Sequence, residues 1–375
     1  MSSLIRIPPG VLELGRPLPW NVYDADGNIL LCQGYVIRTN VQLEQLFRRG
    51  LFRPRNTDLS DTGDSTQESR KRTPFEDYPD LLQTLAQTQN AITEEQASAH
   101  ARLTGLTRML GKTCDDAPDM CLALIHLYST GPTALEQTLF TAILCQLTAR
   151  QFGLDPERIS MVSAAAFTAN LALIQVADQL NASSRILNES QRAVIRKHPE
   201  RSARALEKAG IDEQQILTII LQHHEQADGG GFPLGLSGMD IRPEAEILAL
   251  SERYVAMITR RGYRDRISVA NALSLLARMA GKICRPAVSR AFLEVLGKYP
   301  PGTLVRLENR EFAVITGYPE ADRGPFARVL FDPEGTPCPR YPERDTSLPG
   351  YGIHAQEQPD VIPSMDFSRI WNFRH

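Results

Sequence analysis

Between residues 118 and 297 the apolar residues recur at helical spacing almost without a break, and this pattern constrains the chain more than any other feature. Leu122, Leu124 and Ile125 are followed by Leu139, Ile143, Leu144 and Leu147, then by Ile195, Ala203 and Leu206, then by Ile216, Ile219 and Ile220. Residues three and four apart share one helix face, so each run predicts an amphipathic helix that buries its stripe against others. Asp155-Pro156 marks a loop, Asn188-Glu189-Ser190 opens a helix, Gly210 closes one and Asp212 caps the next. The stretch Ile159 to Ala177 carries no charge, but Ser160, Ser163, Thr168, Asn170 and Gln175 interrupt it. It predicts a buried core helix rather than a membrane span.

Both ends of the chain have a different texture. Trp20 to Leu31 alternates around Asp26-Gly27, a hairpin signal, and Val36 and Ile37 extend the strand character. A short helix follows, with Asn40 as N-cap, Leu43, Leu46 and Phe47 as its stripe and Gly50 as C-cap. Arg48, Arg49, Arg53 and Arg55 form a basic cluster, read as a solvated helix end. Asn56 to Arg72 is polar and aperiodic, the signature of a flexible linker. Helical spacing resumes at Tyr78 and runs through Leu81, Leu82, Leu85, Leu103, Leu106 and Met109. Past Lys298, the segment Tyr299 to Gly317 predicts two strands about a turn, and Arg328 to Asp332 a third. From about 333 the chain is rich in proline and polar residues, which predicts a tail that wraps the surface or is mobile.

These readings divide the 375 residues into a small β-rich module (1–55), a linker (56–77), connector helices (78–117), a helical domain (118–297) and a β extension with tail (298–375). A net charge of -3 leaves no electrostatic footprint for nucleic acid or an anionic membrane. The six cysteines are scattered with no C-x-x-C pair, which fits small buried hydrophobes in a reducing cytoplasm. Met1 to Gly10 lacks the apolar core of a signal peptide, so a cytoplasmic protein is expected.

Chemistry concentrates in His223-His-Glu-Gln-Ala-Asp-Gly-Gly-Gly-Phe-Pro233. Imidazole and carboxylate ligate iron, manganese and zinc, and clustered glycines permit turns and close backbone approach. The segment predicts a helix end running into a tight loop beside a metal or phosphate site. Glu225 and Asp228 are read as groups that cap and brace that loop. Neighbouring helical residues point about 100° apart, so His223 and His224 meet one ion only if the helix end is suitably placed.

The segment from His223 to Gly238 resembles the signature loop of the HD-GYP family, with Phe232 where that family usually has Tyr. Leu187 to Pro199 resembles the family's helix ending in a His-Pro pair, here His198-Pro199. Glu246 to Tyr254 resembles the helix that carries a metal-binding Asp, with Glu252 in its place, and Tyr263-Arg264 matches the Tyr-Arg that follows. The resemblance covers about 120 to 297. It implies a mainly α fold, an HD-superfamily helical bundle with the N-terminal β-rich module and C-terminal β extension as appendages. It also implies a signalling role in bacteria around cyclic di-GMP, which the family linearises at a two- or three-metal site.

The name-giving His-Asp pair, however, falls on Ala169-Asn170, the family's Lys on Leu173 and an earlier ligand His near Gln137. An Asn amide is neutral and bridges cations poorly, and Ala offers no ligand. The resemblance therefore implies at most one divalent transition metal, iron or manganese, on His198, His223, His224 and Glu252. Nucleotide contact would fall to Asp228, Gly229, Gly231, Phe232, Pro233 and Arg264, the last through its planar fork. The expected function is a catalytically inactive cyclic di-GMP sensing or protein-interaction module that acts on a signalling partner. The competing expectation is a phosphodiesterase with a reduced metal site.

Overall fold

The computed structural model describes residues 4–7, 12, 17–18, 20–24, 29–37, 52–54, 72–129, 132–174, 176, 188–259, 266–318, 324–359, 362–363 and 365–372. Four short strands come first: β1 (Leu4–Arg6), β2 (Val22–Tyr23), β3 (Ile29–Leu31) and β4 (Phe52–Pro54). Then come helices α1 (Pro74–Thr93), α2 (Ala99–Asp116), α3 (Pro118–Tyr128), α4 (Ala134–Gln151), α5 (Pro156–Thr168), α6 (Glu189–Lys208) and α7 (Gln214–Gln222). Helices α8 (Pro243–Ile258), α9 (Val269–Met279) and α10 (Pro286–Leu296) complete the bundle. Strands β5 (Leu304–Leu307), β6 (Phe312–Gly317), β7 (Phe326–Phe331), β8 (Glu343–Asp345) and β9 (Ile353–Glu357) precede the terminal α11 (Phe367–Ile370).

Local chemistry sets many helix starts. Thr73, Thr133 and Asn188 accept from the N–H three residues on, while Glu76, Glu136 and Gln191 reach back to the cap backbone. These capping boxes satisfy N–H groups that a helix start leaves orphaned. Asp155 caps α5 in the simpler way, with Pro156 following it. Helix α4 is buried all round from Leu139 to Ala149, so it forms the axis of the bundle. One continuous apolar core joins side chains from α1 through α10 with Leu304 and Val314 of the β extension and Phe367 of α11. The first sheet, ordered β1-β4-β2-β3, is antiparallel. Trp20, Val22 and Ile37 belong to a separate small core.

The second sheet, ordered β8-β7-β6-β5-β9, is also antiparallel. It is tied to the bundle by specific contacts. His126 of α3 donates from Nδ1 to the oxygens of Leu122 (2.7 Å) and Pro301 (2.9 Å), and its Nε2 meets the Tyr254 hydroxyl at 2.7 Å. A side chain at Gly302, whose φ is +86, would strike the Ala123 backbone at 2.6 Å, so only glycine fits there. Trp371 Nε1 donates to the Thr316 oxygen, and the Phe367 ring stacks on Phe75.

Several sequence expectations need correction. The uncharged stretch is not one helix: α5 stops at Thr168, and a 3-10 turn over Leu171–Leu173 follows. The break falls at Asn170, whose side chain bonds to another helix, as Asn side chains do at turns. Helix α6 does not end at His198-Pro199 but continues to Lys208. Helix α7 is preceded by Glu213 rather than Asp212, with no side-chain cap. The polar tail past 333 supplies β8, β9 and α11 instead of only wrapping the surface. Cys32 is exposed, whereas Cys114, Cys121, Cys145 and Cys284 are buried. The Asp26-Gly27 turn, the helix from Asn40 to Gly50, the linker up to Lys71 and Tyr263-Arg264 lie outside the described residues. Of the basic cluster, only the backbone of Arg53 is described, in β4. Among the described residues no helix is long and apolar enough to cross a membrane.

Candidate functional site

Pro199 lies inside α6, directly after His198. Proline has no N–H, so the carbonyl four residues back, that of Ile195, loses its helical donor. His198 Nδ1 takes that role, 2.5 Å from the Ile195 oxygen. A carbonyl only accepts, so Nδ1 carries the proton and Nε2 is a bare lone pair. The same arrangement recurs at the end of α7, where His223 follows Gln222 and its Nδ1 donates to Ile220 O at 2.5 Å.

The two Nε2 atoms face each other at 3.3 Å. Two lone pairs at that distance repel unless a proton or a cation lies between them. Two imidazoles on one tetrahedral ion stand ~3.3–3.4 Å apart, given metal–nitrogen bonds of ~2.05 Å. His224 adds a third nitrogen: one ligand atom from each of His198, His223 and His224 lies within 4.8 Å of the others. Both His223 and His224 sit past the last residue of α7, where the chain turns, and their ring centroids are 4.0 Å apart. The donor set thus fits a transition metal, with backbone carbonyls fixing two of the tautomers.

Burial, helped at His198 by the neighbouring His223, pushes the His198 imidazole down to about 4. Burial does the same to His223, also to about 4. His224 is held well below its ordinary value by burial and then by His223, His198 and Arg253. All three are neutral near pH 7, the form that binds metal.

The loop after α7 is braced rather than open. The buried Glu225 carboxylate accepts from the backbone N–H of Leu234 (2.6 Å), Gly235 (3.1 Å) and Leu236 (3.0 Å). Asp228 accepts from Gly230 N at 2.9 Å and stands 3.8 Å from Lys282 Nζ. Any side chain at Gly231 would collide with the Glu225 backbone at 2.4 Å, and Gly229 has φ +79. The Phe232 ring stacks on His224 at 4.7 Å. Asp228, Gly229, Gly231, Phe232 and Pro233 do not line the cavity beside the histidines; they shape the loop that carries His224.

That cavity has a volume of about 450 Å³. Its wall includes His198, His223, His224, Glu225, Glu246, Glu252 and Arg253, with Gln89, Gln137, Thr138 and Thr141 from α1 and α4. Leu135, Leu173, Ile174, Ile195 and Ile283 supply hydrocarbon. Glu252 Oε2 is 3.7 Å from His223 Nε2, but its other oxygen accepts a hydrogen bond from the Asn170 side-chain amide. Ala169 is fully buried at the end of α5, and Gln137 Nε2 is turned to the Pro132 carbonyl at 3.3 Å.

The structure therefore brings together His198, His223 and His224, with Glu252 beside them and engaged by Asn170. Arg264 lies outside the described residues. Sequence reasoning missed the Asn170–Glu252 bond and the place of Arg253 in the wall. A lone arginine in the apolar half of α8 was the available signal.

A family model described as an HD domain matches residues 119–286. The cyclic di-GMP phosphodiesterase PA4108 of Pseudomonas aeruginosa is 27% identical over 260 residues, 69% of this chain and 61% of that protein. The cyclic di-GMP phosphodiesterase response regulator RpfG of Xanthomonas campestris pv. campestris is 30% identical over 148 residues, 39% of each chain. This chain thus spans 61% and 39% of the lengths of these two relatives. Bd1817, an HDG"Y"P protein of Bdellovibrio bacteriovorus, shares the fold with a TM-score of 0.52 at 17% identity, over 78% of this chain and 99% of its own. Residues 119–286 thus match an HD domain, and the chain is similar to cyclic di-GMP phosphodiesterases.

Proposed function

We propose that this chain is a cyclic di-GMP receptor that carries at most one metal and does not hydrolyse the nucleotide. The observation that supports this reading is the hydrogen bond from Asn170 to Glu252. Asn170 ties the carboxylate nearest the imidazoles to a neutral amide, and Ala169 beside it offers no ligand. Among the described residues the metal-ligating cluster consists of three histidines. A two-metal displacement needs ligands that hold both ions, and this donor set is short of them.

Iron or manganese would be held by His198, His223 and His224, and would supply Lewis-acid polarisation of a phosphoryl oxygen. The protein's own groups do the rest. Ile195 and Ile220 fix the imidazole tautomers, and Phe232 and Glu225 hold His224 and its loop. Hydrolysis is the second reading, favoured by the names of the relatives, several of which are cyclic di-GMP phosphodiesterases.

Purified protein loaded with manganese or iron is to be tested on cyclic di-GMP by following linear product, with calorimetry on the same sample. Binding without turnover is the expected result. Turnover that disappears in His224→Ala would establish the enzyme instead. Absence of both binding and turnover would leave a scaffold and sink both readings.

A further inference from the structure

We infer that Arg253 is the anion-binding group of this cavity, its guanidinium fork taking a phosphate or phosphodiester of the bound ligand. This deepens the receptor reading and rests on it for the nucleotide, but not for the anion. Arg253 lines the cavity together with the three histidines and is half-buried. It has no hydrogen bond or ion pair among the described residues. Other shielded arginines of this chain are matched. Arg285 pairs with Glu246 and bonds the Ile241 carbonyl, Arg158 pairs with Glu244 at 2.8 Å, and Arg344 with Glu311 at 2.7 Å.

The acidic groups on the same wall are already engaged. Asn170 donates to Glu252, three backbone N–H groups hold Glu225, and Arg285 takes Glu246. The Cys284 thiol beside Arg253 is pushed up to about 12 by burial, so it is neutral and no counter-ion. A guanidinium does not shed its proton at working pH, so it stays charged in a partly desolvated place. Such a charge is costly without a partner, and an entering oxyanion offsets that cost. Two parallel N–H groups match the geometry of two phosphate oxygens. Hydrocarbon from Leu135, Leu173, Ile174 and Ile283 lies in the same cavity and suits the less polar part of an ester.

The full chain, treated with chelator, is titrated with cyclic di-GMP by calorimetry alongside Arg253→Met and Arg253→Lys. All three proteins are also melted with and without inorganic phosphate. We expect Arg253→Met to weaken nucleotide binding by about tenfold to a hundredfold. Phosphate is expected to raise the melting temperature of the unaltered protein and not of the Met variant. Equal nucleotide affinity and an equal phosphate effect in the two proteins would overturn the inference while leaving the receptor reading intact. An Arg253-dependent phosphate effect with no nucleotide binding would do the reverse. If neither ligand acts on the unaltered protein, both are overturned. Should Arg253→Met fail to fold, Arg253→Lys decides: a several-fold loss supports the fork, and unchanged affinity overturns it.

Discussion

The cavity is built from two unlike regions. The part carried by α6, α7 and the following loop presents three imidazoles whose orientation is fixed by Ile195 O, Ile220 O and the Phe232 ring. The part carried by α4 and the end of α5 presents amides, hydroxyls and hydrocarbon: Gln137, Thr138, Thr141, Asn170 and Leu173. In the first region every support points toward holding a cation. In the second, polar groups satisfy one another, as Asn170 does with Glu252. Similarity to cyclic di-GMP phosphodiesterases is thus compatible with a cavity whose imidazoles converge on one side only.

The largest effect that could break this contrast is in metal content. His223→Ala removes one of three converging nitrogens, and metal affinity is expected to fall by more than about a hundredfold, since even supporting groups cost ten- to a hundredfold. Elemental analysis after dialysis measures this; retained metal would show that the imidazoles are not its ligands. Next comes Glu225→Ala, which strands three backbone N–H groups in the loop. A loss of about 3 kcal/mol is expected by urea denaturation, with partial recovery in Glu225→Gln, which keeps one acceptor oxygen.

His126 provides a third test, because it is a buried imidazole away from the cavity. Burial pushes it down to about 4, against opposing hydrogen bonds to Leu122 and Pro301. Its folded value is depressed, so below its ordinary value of 6.5 the unfolded chain takes up a proton that the folded chain refuses. Its contribution is therefore full above pH 6.5 and lost as pH falls toward 4, by about 2–3 kcal/mol. Denaturation curves of chelator-treated protein should show this loss on top of that from the three buried cavity histidines, and His126→Gln should remove only the His126 share. An acid loss of the same size in His126→Gln would assign the sensitivity to the cavity imidazoles instead.

The smallest expected change is Asn170→Asp. It sets two carboxylates against each other and should cost about 1 kcal/mol in the metal-free protein, with added manganese recovering the loss. Melting curves that do not respond to either change would show that the amide is not what restrains Glu252.

Much of this was legible in the sequence, and the exceptions have physical causes. Helix periodicity and caps located the bundle because both are local. The clustered histidines were legible because their residue type is rare and chemically specific. The Asn170–Glu252 bond joins residues 82 apart and depends on where α5 ends, which periodicity blurs. That Arg253 has no partner among the described residues is a property of everything around it, and no single position encodes that. The strands β8 and β9 are short and polar, so their pairing with β7 and β5 left little hydrophobic pattern to read.

Pro199 has a consequence beyond helix geometry. By withholding one hydrogen from Ile195, it leaves an acceptor that the adjacent ring satisfies. The acid–base identity of His198, meaning which of its nitrogens is nucleophilic, is thus written into a residue that bears no functional group at all. A His-Pro pair of this kind is one chemical unit, and judging the histidine without its proline would misjudge what the histidine can bind.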